Sequence, residues 1–222
     1  MTWVKICGIT DLEDAQMAIK AGANALGFVF YEKSPRYVAP KAARAIIEKL
    51  PEQIEKVGVF ANASAEQVKV VAANANVTAI QVFVDGLPFR RDGFEQVATA
   101  ANLKLIPVLS MNQEHPEELA MAWDAGTVHA FLLDSSSSEK PGGTGCAFDW
   151  SAREQSARVI QTMGKVIVAG GLSVTNVSDA IRILRPWGVD VVSGVEARPG
   201  KKDANKVREF ITAVRRSDEG IQ

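Results

Sequence analysis

The chain has 222 residues, with 25 Lys or Arg against 26 Asp or Glu and a formal charge of −1. Nucleic acid and anionic membrane surfaces call for a basic excess, so this balance argues against both as main partners. The composition, 47% apolar and 23% charged, fits a globular protein. The longest apolar runs, Ala25 to Tyr31 and Val166 to Leu172, fall well short of the roughly 20 residues that a membrane-spanning helix needs.

The first residues, Met1-Thr2-Trp3-Val4-Lys5-Ile6-Cys7, lack a basic head followed by a long apolar stretch, so a cytoplasmic location is expected. Two cysteines, Cys7 and Cys146, do not make a disulfide framework. Short apolar or β-branched runs recur at Trp3 to Cys7, Ala25 to Phe30, Lys56 to Phe60, Thr78 to Phe83, Lys104 to Leu109, His129 to Asp134, Lys165 to Ala169 and Val189 to Val192. Helix signals lie between them. After the first strand, Thr10 and Glu13 read as a capping box, Leu12, Ala15 and Ile19 share one face, and Gly22 suits the stop. Pro40 opens the second helix and Pro51 lies beyond its end, while Ser64 and Gln67 read as a capping box for the third.

Four more helices are predicted over Gly93 to Ala101, His115 to Ala125, Trp150 to Thr162 and Val174 to Leu184. The last shows Val207, Phe210, Ile211 and Val214 at i, i+3, i+4 and i+7. Eight strands alternating with eight helices leave about 28 residues per unit, enough for a strand, a helix and short loops. An open doubly wound sheet would usually have fewer strands and a dinucleotide fingerprint after the first. The pattern therefore predicts one (β/α)8 TIM barrel over residues 1–222, with no separate domain.

Chemistry in such a barrel sits at the C-terminal ends of the strands. His129 opens a strand and His115 sits beside Pro116, so both histidines read as structural or exposed. Neither a histidine pair nor a cysteine cluster has metal-ligand spacing, and no metal site is expected. Cys7 closes the first strand. Alternation places it with Lys5 on one face, while Val4 and Ile6 belong against the helices. Cys7 then points into the barrel mouth, where a thiolate of lowered pKa could serve as a base; the alternative is a small buried hydrophobe.

Asp134 closes the sixth strand toward the same mouth, the bland alternative being a loop cap. The stretch from Ser135 through Gly142-Gly143-Thr144-Gly145 could cover a ligand, which makes Gly143 and Gly145 candidate contacts. Gly170-Gly171 and Ser193-Gly194 follow strands seven and eight, where this fold commonly binds phosphate on bare backbone N–H groups. Lys5 should point inward one layer below Cys7. A buried ion pair with Asp190 on the neighbouring strand is one expectation; the other is that Asp190 faces a helix and Lys5 meets a different acceptor.

Several segments together carry a resemblance: Lys5-Ile6-Cys7-Gly8-Ile9-Thr10, Ser34-Pro35-Arg36-Tyr37-Val38, Gly142-Gly143-Thr144-Gly145, Ala169-Gly170-Gly171-Leu172 and Ser193-Gly194-Val195-Glu196 with Pro199-Gly200-Lys201-Lys202-Asp203. Over nearly its whole length the chain resembles phosphoribosylanthranilate isomerase. That likeness implies an Amadori rearrangement of N-(5-phosphoribosyl)anthranilate on the route to tryptophan, with no cofactor and a small phosphorylated substrate; the sequence leaves monomer and homodimer both open. The likeness further implies Asp134 as general acid, Cys7 as general base and Arg36 as the clamp on the anthranilate carboxylate. One departure stands out, since the family's Gln-Leu-His-Gly after strand four reads Gln81-Val82-Phe83-Val84 here.

A histidine-pathway isomerase would place an aspartate where Cys7 stands. An indole-glycerol-phosphate synthase would need catalytic lysines at strand ends, whereas Lys5, Lys56, Lys104 and Lys165 mostly open strands. A barrel that merely binds a phosphorylated ligand would have no need of both Cys7 and Asp134.

Overall fold

The computed structural model describes residues 1–83, 93–135 and 147–220. Eight parallel strands pair in chain order and close into a barrel: β1 (Trp3–Cys7), β2 (Ala25–Val29), β3 (Glu55–Phe60), β4 (Ala79–Phe83), β5 (Lys104–Ser110), β6 (Phe131–Asp134), β7 (Val166–Val168) and β8 (Gly188–Val191). Helices α1 (Leu12–Ala21), α2 (Pro40–Ile47), α3 (Ala65–Ala75), α4 (Phe94–Ala100), α5 (Pro116–Met121), α6 (Glu154–Gln161), α7 (Val177–Leu184) and α8 (Ala204–Gly220) each follow their strand. The anticipated (β/α)8 barrel is thus the observed fold. No described helix is long and apolar enough to cross a membrane.

Strand alternation divides the apolar residues into two cores. Val4, Ile6, Ile80, Val82, Phe131 and Leu133 face outward and are buried under the helices. Ala25, Val57, Ala79, Ile106, Leu132 and Ile167 face inward and fill the barrel's centre. The inward set is short and branched, as a packed barrel interior requires. Lys5, Cys7, Gln81, Asp134 and Asp190 fall on the same inward parity, so the polar groups of the interior stack above and beside this plug.

Helix ends follow local chemistry. Ser64 and Gln67 form the expected capping box, with the Gln67 amide N–H donating to Ser64 Oγ at 3.3 Å and Ser64 N–H donating to Gln67 Oε1 at 2.8 Å. Gly22 ends α1 at φ 107°, a left-handed conformation that favours glycine. The start of α1 differs from expectation. Asp11, not Thr10, is the N-cap and accepts from Asp14 N–H at 2.9 Å, because the Thr10 hydroxyl instead donates to Gly200 O at 2.6 Å.

Helices α5, α6 and α7 are shorter than predicted. The α7 segment begins at Val177 and not Val174, since the Asn176 amide ties down the preceding loop: Ser173 N–H donates to its Oδ1 at 2.8 Å and its Nδ2 donates to Gly171 O at 3.0 Å.

The pole opposite the strand C-termini is closed by aromatics. Trp3 and Trp187 stack with centroids 5.0 Å apart, Lys165 lies 4.7 Å over the Trp187 ring, and His129 meets Trp187 edge-on. His115 is exposed beside Glu117. His129 thus belongs to the far pole and His115 is an exposed residue at the start of α5, in keeping with their places in the sequence.

Candidate active site

The main chain leaves β1 at Cys7 and turns at Gly8, whose φ of 79° suits a residue without Cβ. Gly8 and Ile9 N–H both donate to Gly27 O, at 3.0 and 2.9 Å. This folds the strand-one loop over β2. Gly27 also seats the thiol, because a Cβ there would lie 2.6 Å from Cys7 Sγ. Cys7 is 4% exposed and packs beside Val29, Val59 and Val192.

Asp134, 7% exposed, ends β6 and lines the same pocket as Cys7, together with Arg36, Gln81, Phe83 and Asp190. Phe83 thus stands in the pocket wall at the position where the family pattern has histidine. Gln81 Oε1 and Asp190 Oδ1 are buried on this floor and accept no hydrogen bond among the described residues. Gln81 was not singled out from sequence, whereas Asp190 was named there as a possible partner of Lys5.

Below Cys7, Lys5 Nζ donates to Asp190 Oδ2 at 2.9 Å, with the side chains 0% and 4% exposed. The pair follows from register, since Lys5 lies opposite Asp190 where β1 closes on β8. Of the two alternatives open to Lys5, the ion pair is the one realised. Burial lowers the Lys5 pKa, but the charges of Asp190 and Cys7 outweigh it, so the ammonium is held above its ordinary value.

The thiol departs from the expectation of a lowered pKa. Burial pushes Cys7 up, and the neighbouring Lys5 and Lys202 ammonium groups pull it only part of the way back. In a pocket this dry the thiolate loses more solvation than two cations restore.

The turn after β7 lies beside Asp134, and the turn after β8 lies against the loop that follows β7. Gly170 and Gly171 have φ of 75° and 62°, and a Cβ on Gly170 would sit 3.2 Å from Asp134 Oδ1 and 2.7 Å from Ser135 Oγ. Ser193 and Gly194 begin a single 3₁₀ turn, Ser193–Val195, whose leading N–H groups have no partner within the turn. A Cβ on Gly194 would fall 2.0 Å from Leu172 O, so the two loops approach backbone to backbone. Gly143 and Gly145, like Cys146, lie outside the described residues.

This close approach has a measurable consequence. Gly194→Ala should cost about 1–3 kcal/mol by overpacking, read by thermal unfolding. Unchanged stability would mean that the two loops separate freely.

Arg36 is bound by a residue that sequence reasoning passed over. Its Nε and Nη2 donate to Glu196 Oε1 and Oε2 at 3.0 and 2.8 Å. Glu196 begins β9 (Glu196–Arg198), which pairs antiparallel with β10 (Lys201–Lys202) beyond the Ser193 turn. Its only signal in the sequence was a pair of unlike charges, Glu196 and Lys202, in a Gly/Pro-containing stretch.

A larger cleft, about 600 Å³, opens at the opposite pole beside Thr2, Trp187, Arg215 and Asp218. It lies at the N-terminal ends of the strands, where this fold does not build its active sites.

A closed (β/α)8 barrel with a thiol and a carboxyl group lining one pocket at the strand C-termini has the architecture of the barrel enzymes, whose sites lie at that face. Comparison with known proteins specifies the family. The profile of N-(5′-phosphoribosyl)anthranilate (PRA) isomerase matches residues 4–213. The chain is 42% identical to the N-(5′-phosphoribosyl)anthranilate isomerase of Geobacter sp. (strain M21), over 97% of this chain and 99% of that one.

Among solved structures, the phosphoribosyl anthranilate isomerase of Thermotoga maritima superposes with a TM-score of 0.83 at 36% identity, covering 97% and 99% of the two chains. A phosphoribosyl anthranilate isomerase in complex with reduced 1-(o-carboxyphenylamino)-1-deoxyribulose 5-phosphate superposes with a TM-score of 0.81 at 35% identity, with the same coverage. The chain belongs to the N-(5′-phosphoribosyl)anthranilate isomerase family and is an isomerase of tryptophan biosynthesis.

Proposed function

We propose that this chain rearranges N-(5-phosphoribosyl)anthranilate to 1-(2-carboxyphenylamino)-1-deoxyribulose 5-phosphate with Asp134 as general acid and Cys7 as general base. The observation that carries the reading is that the Cys7 thiol, the Asp134 carboxyl and the Arg36 guanidinium line one pocket although 127 residues separate the first two.

Asp134 protonates the furanose ring oxygen, the C1′–O bond breaks, and the anilino nitrogen's lone pair forms the C1′ iminium. The Cys7 thiolate then removes the C2′ proton, which gives an enolamine. Protonation at C1′ and collapse of the C2′ hydroxyl to a carbonyl complete the aminoketose. Substrate and product are isomers, so the step consumes no redox cofactor. Each proton transfer requires a side chain positioned within reach of the reacting atom.

Gly170, Gly171, Ser193 and Gly194 supply backbone N–H groups for the phosphate, where a side chain would block the approach. Arg36 clamps the anthranilate carboxylate by a bidentate pair.

The reading is tested by following the loss of fluorescence of the anthranilate adduct, with the imidazole substrate of the histidine pathway as control. Turnover of the first is expected; isomerisation of the imidazole compound alone would overturn it. Arg36→Ala should raise KM at least tenfold and lower kcat modestly, because a clamp acts in ground and transition states alike. Equal damage with an adduct lacking the carboxylate would remove Arg36 from this role.

A further inference from the structure

Arg36 meets the pocket already holding a partner. Glu196 takes the Nε–Nη2 edge of the guanidinium with both carboxylate oxygens. The same Glu196 Oε1 accepts from Lys202 Nζ at 3.1 Å and from Gly200 N–H at 3.2 Å. Lys202, its side chain 0% exposed, also donates to Val192 O at 3.3 Å. Glu196 is 6% exposed, so this is a buried cluster of two cations and one anion, with one positive charge left over beside the pocket.

The geometry limits what Arg36 can do. A guanidinium presents its five N–H donors in one plane, and a carboxylate engages two parallel donors at a time. With the Nε–Nη2 edge occupied, the Nη1–Nη2 end is the edge that remains for a second planar anion. Two bonds to Glu196 also prevent rotation about Cδ–Nε, so the free edge keeps one direction. A lone arginine would have to lose that rotational freedom on binding. Glu196 stays ionised in this position. Burial raises its carboxyl pKa, but the Arg36 hydrogen bond and the Lys202 charge outweigh burial and hold it below the usual range.

We infer that Glu196, backed by Lys202, is a positioning residue that sets the plane and the free edge of Arg36 for the carboxylate of the substrate. The inference rests on the reading of Arg36 as the carboxylate clamp.

The test is a double-mutant cycle of Arg36→Ala and Glu196→Gln, using the phosphoribosyl adducts of anthranilate and of aniline, which lacks the carboxylate. Glutamine keeps the shape of Glu196 but turns one acceptor into a donor facing the guanidinium. Glu196→Gln should raise KM for the anthranilate adduct about tenfold or more with kcat within about threefold, and should scarcely alter KM for the aniline adduct. In the Arg36→Ala background it should add less than about twofold. Glu196→Asp, which keeps the charge on a shorter stem, should fall between Glu and Gln. KM reads only folded molecules, so partial loss of folded protein does not imitate these results.

An unchanged KM in Glu196→Gln, an equal rise for both adducts, or full multiplication with Arg36→Ala would overturn the inference while leaving the clamp in place. If Arg36→Ala itself fails to distinguish the adducts, the clamp is wrong and the inference falls with it.

Discussion

Cys7→Ala and Asp134→Asn are each expected to cut kcat by about 10² or more with KM nearly unchanged, because a general base or acid acts in the transition state. Both substitutions preserve packing closely: Cys7 loses one buried atom, and Asn is isosteric with the Asp134 carboxyl. The loss should therefore appear in rate and not in folding. A pH profile separates the base from a merely structural thiol. The thiolate is the active form, so the rate of the wild-type chain should rise with pH as Cys7 ionises. Burial places that rise above the ordinary thiol range. Cys7→Ser should lose this limb together with the activity, since an alcohol stays protonated. Near-wild-type turnover in either the Ala or the Asn variant would remove that residue from the mechanism, and a rate that is flat through the alkaline range would remove the thiolate.

The second large effect lies beneath the site. Lys5→Met should destabilise the fold by about 3–5 kcal/mol, because Asp190 would be left as a buried charge without its ammonium. Asp190 Oδ1 already accepts no hydrogen bond among the described residues, so little else is at hand to hold the carboxylate. Lys5→Met combined with Asp190→Leu should recover much of the loss, as two apolar side chains replace the pair without a stranded charge. Denaturant unfolding of the four proteins measures the coupling, and additive losses would show that the two side chains act independently.

The pair also sets a pH window. The Lys5 pKa is raised above its ordinary value of 10.5, so its contribution is complete below that pH and is lost as pH rises through the higher folded value. Stability should thus hold through neutral pH and fall under strong alkali, and the double variant should lack this fall.

How much of this was written in the linear chain differs from residue to residue. Period-two alternation placed Lys5 and Cys7 on one face and Val4 and Ile6 on the other, and the barrel keeps that division because helices cover one face and the strands' own side chains fill the other. Asp134, at the end of an apolar strand, was legible for the same reason. So were Gly170-Gly171 and Ser193-Gly194, since glycines at strand ends in an eightfold repeat fall on the chemical face of the barrel. The Lys5–Asp190 pair was half legible: depth along a strand can be counted, but the inward direction of Asp190 depended on the β1–β8 register, which is fixed only when the barrel closes.

Three features belong to the tertiary structure alone. The start of α1 at Asp11 depended on a hydroxyl at Thr10 finding Gly200, 190 residues away, and no local capping rule contains that competitor. The upward pKa of Cys7 depended on how dry the pocket is, because desolvation and the two nearby lysines act in opposite directions and their balance is set by packing. The Glu196 partnership of Arg36 joins residues 160 apart through the loops after β2 and β8. The linear chain determined which side chains reach the mouth of the barrel, because periodicity is a local property of the backbone. Only the folded structure decided which charges meet there, because electrostatic pairing and desolvation act between groups that the chain order keeps apart.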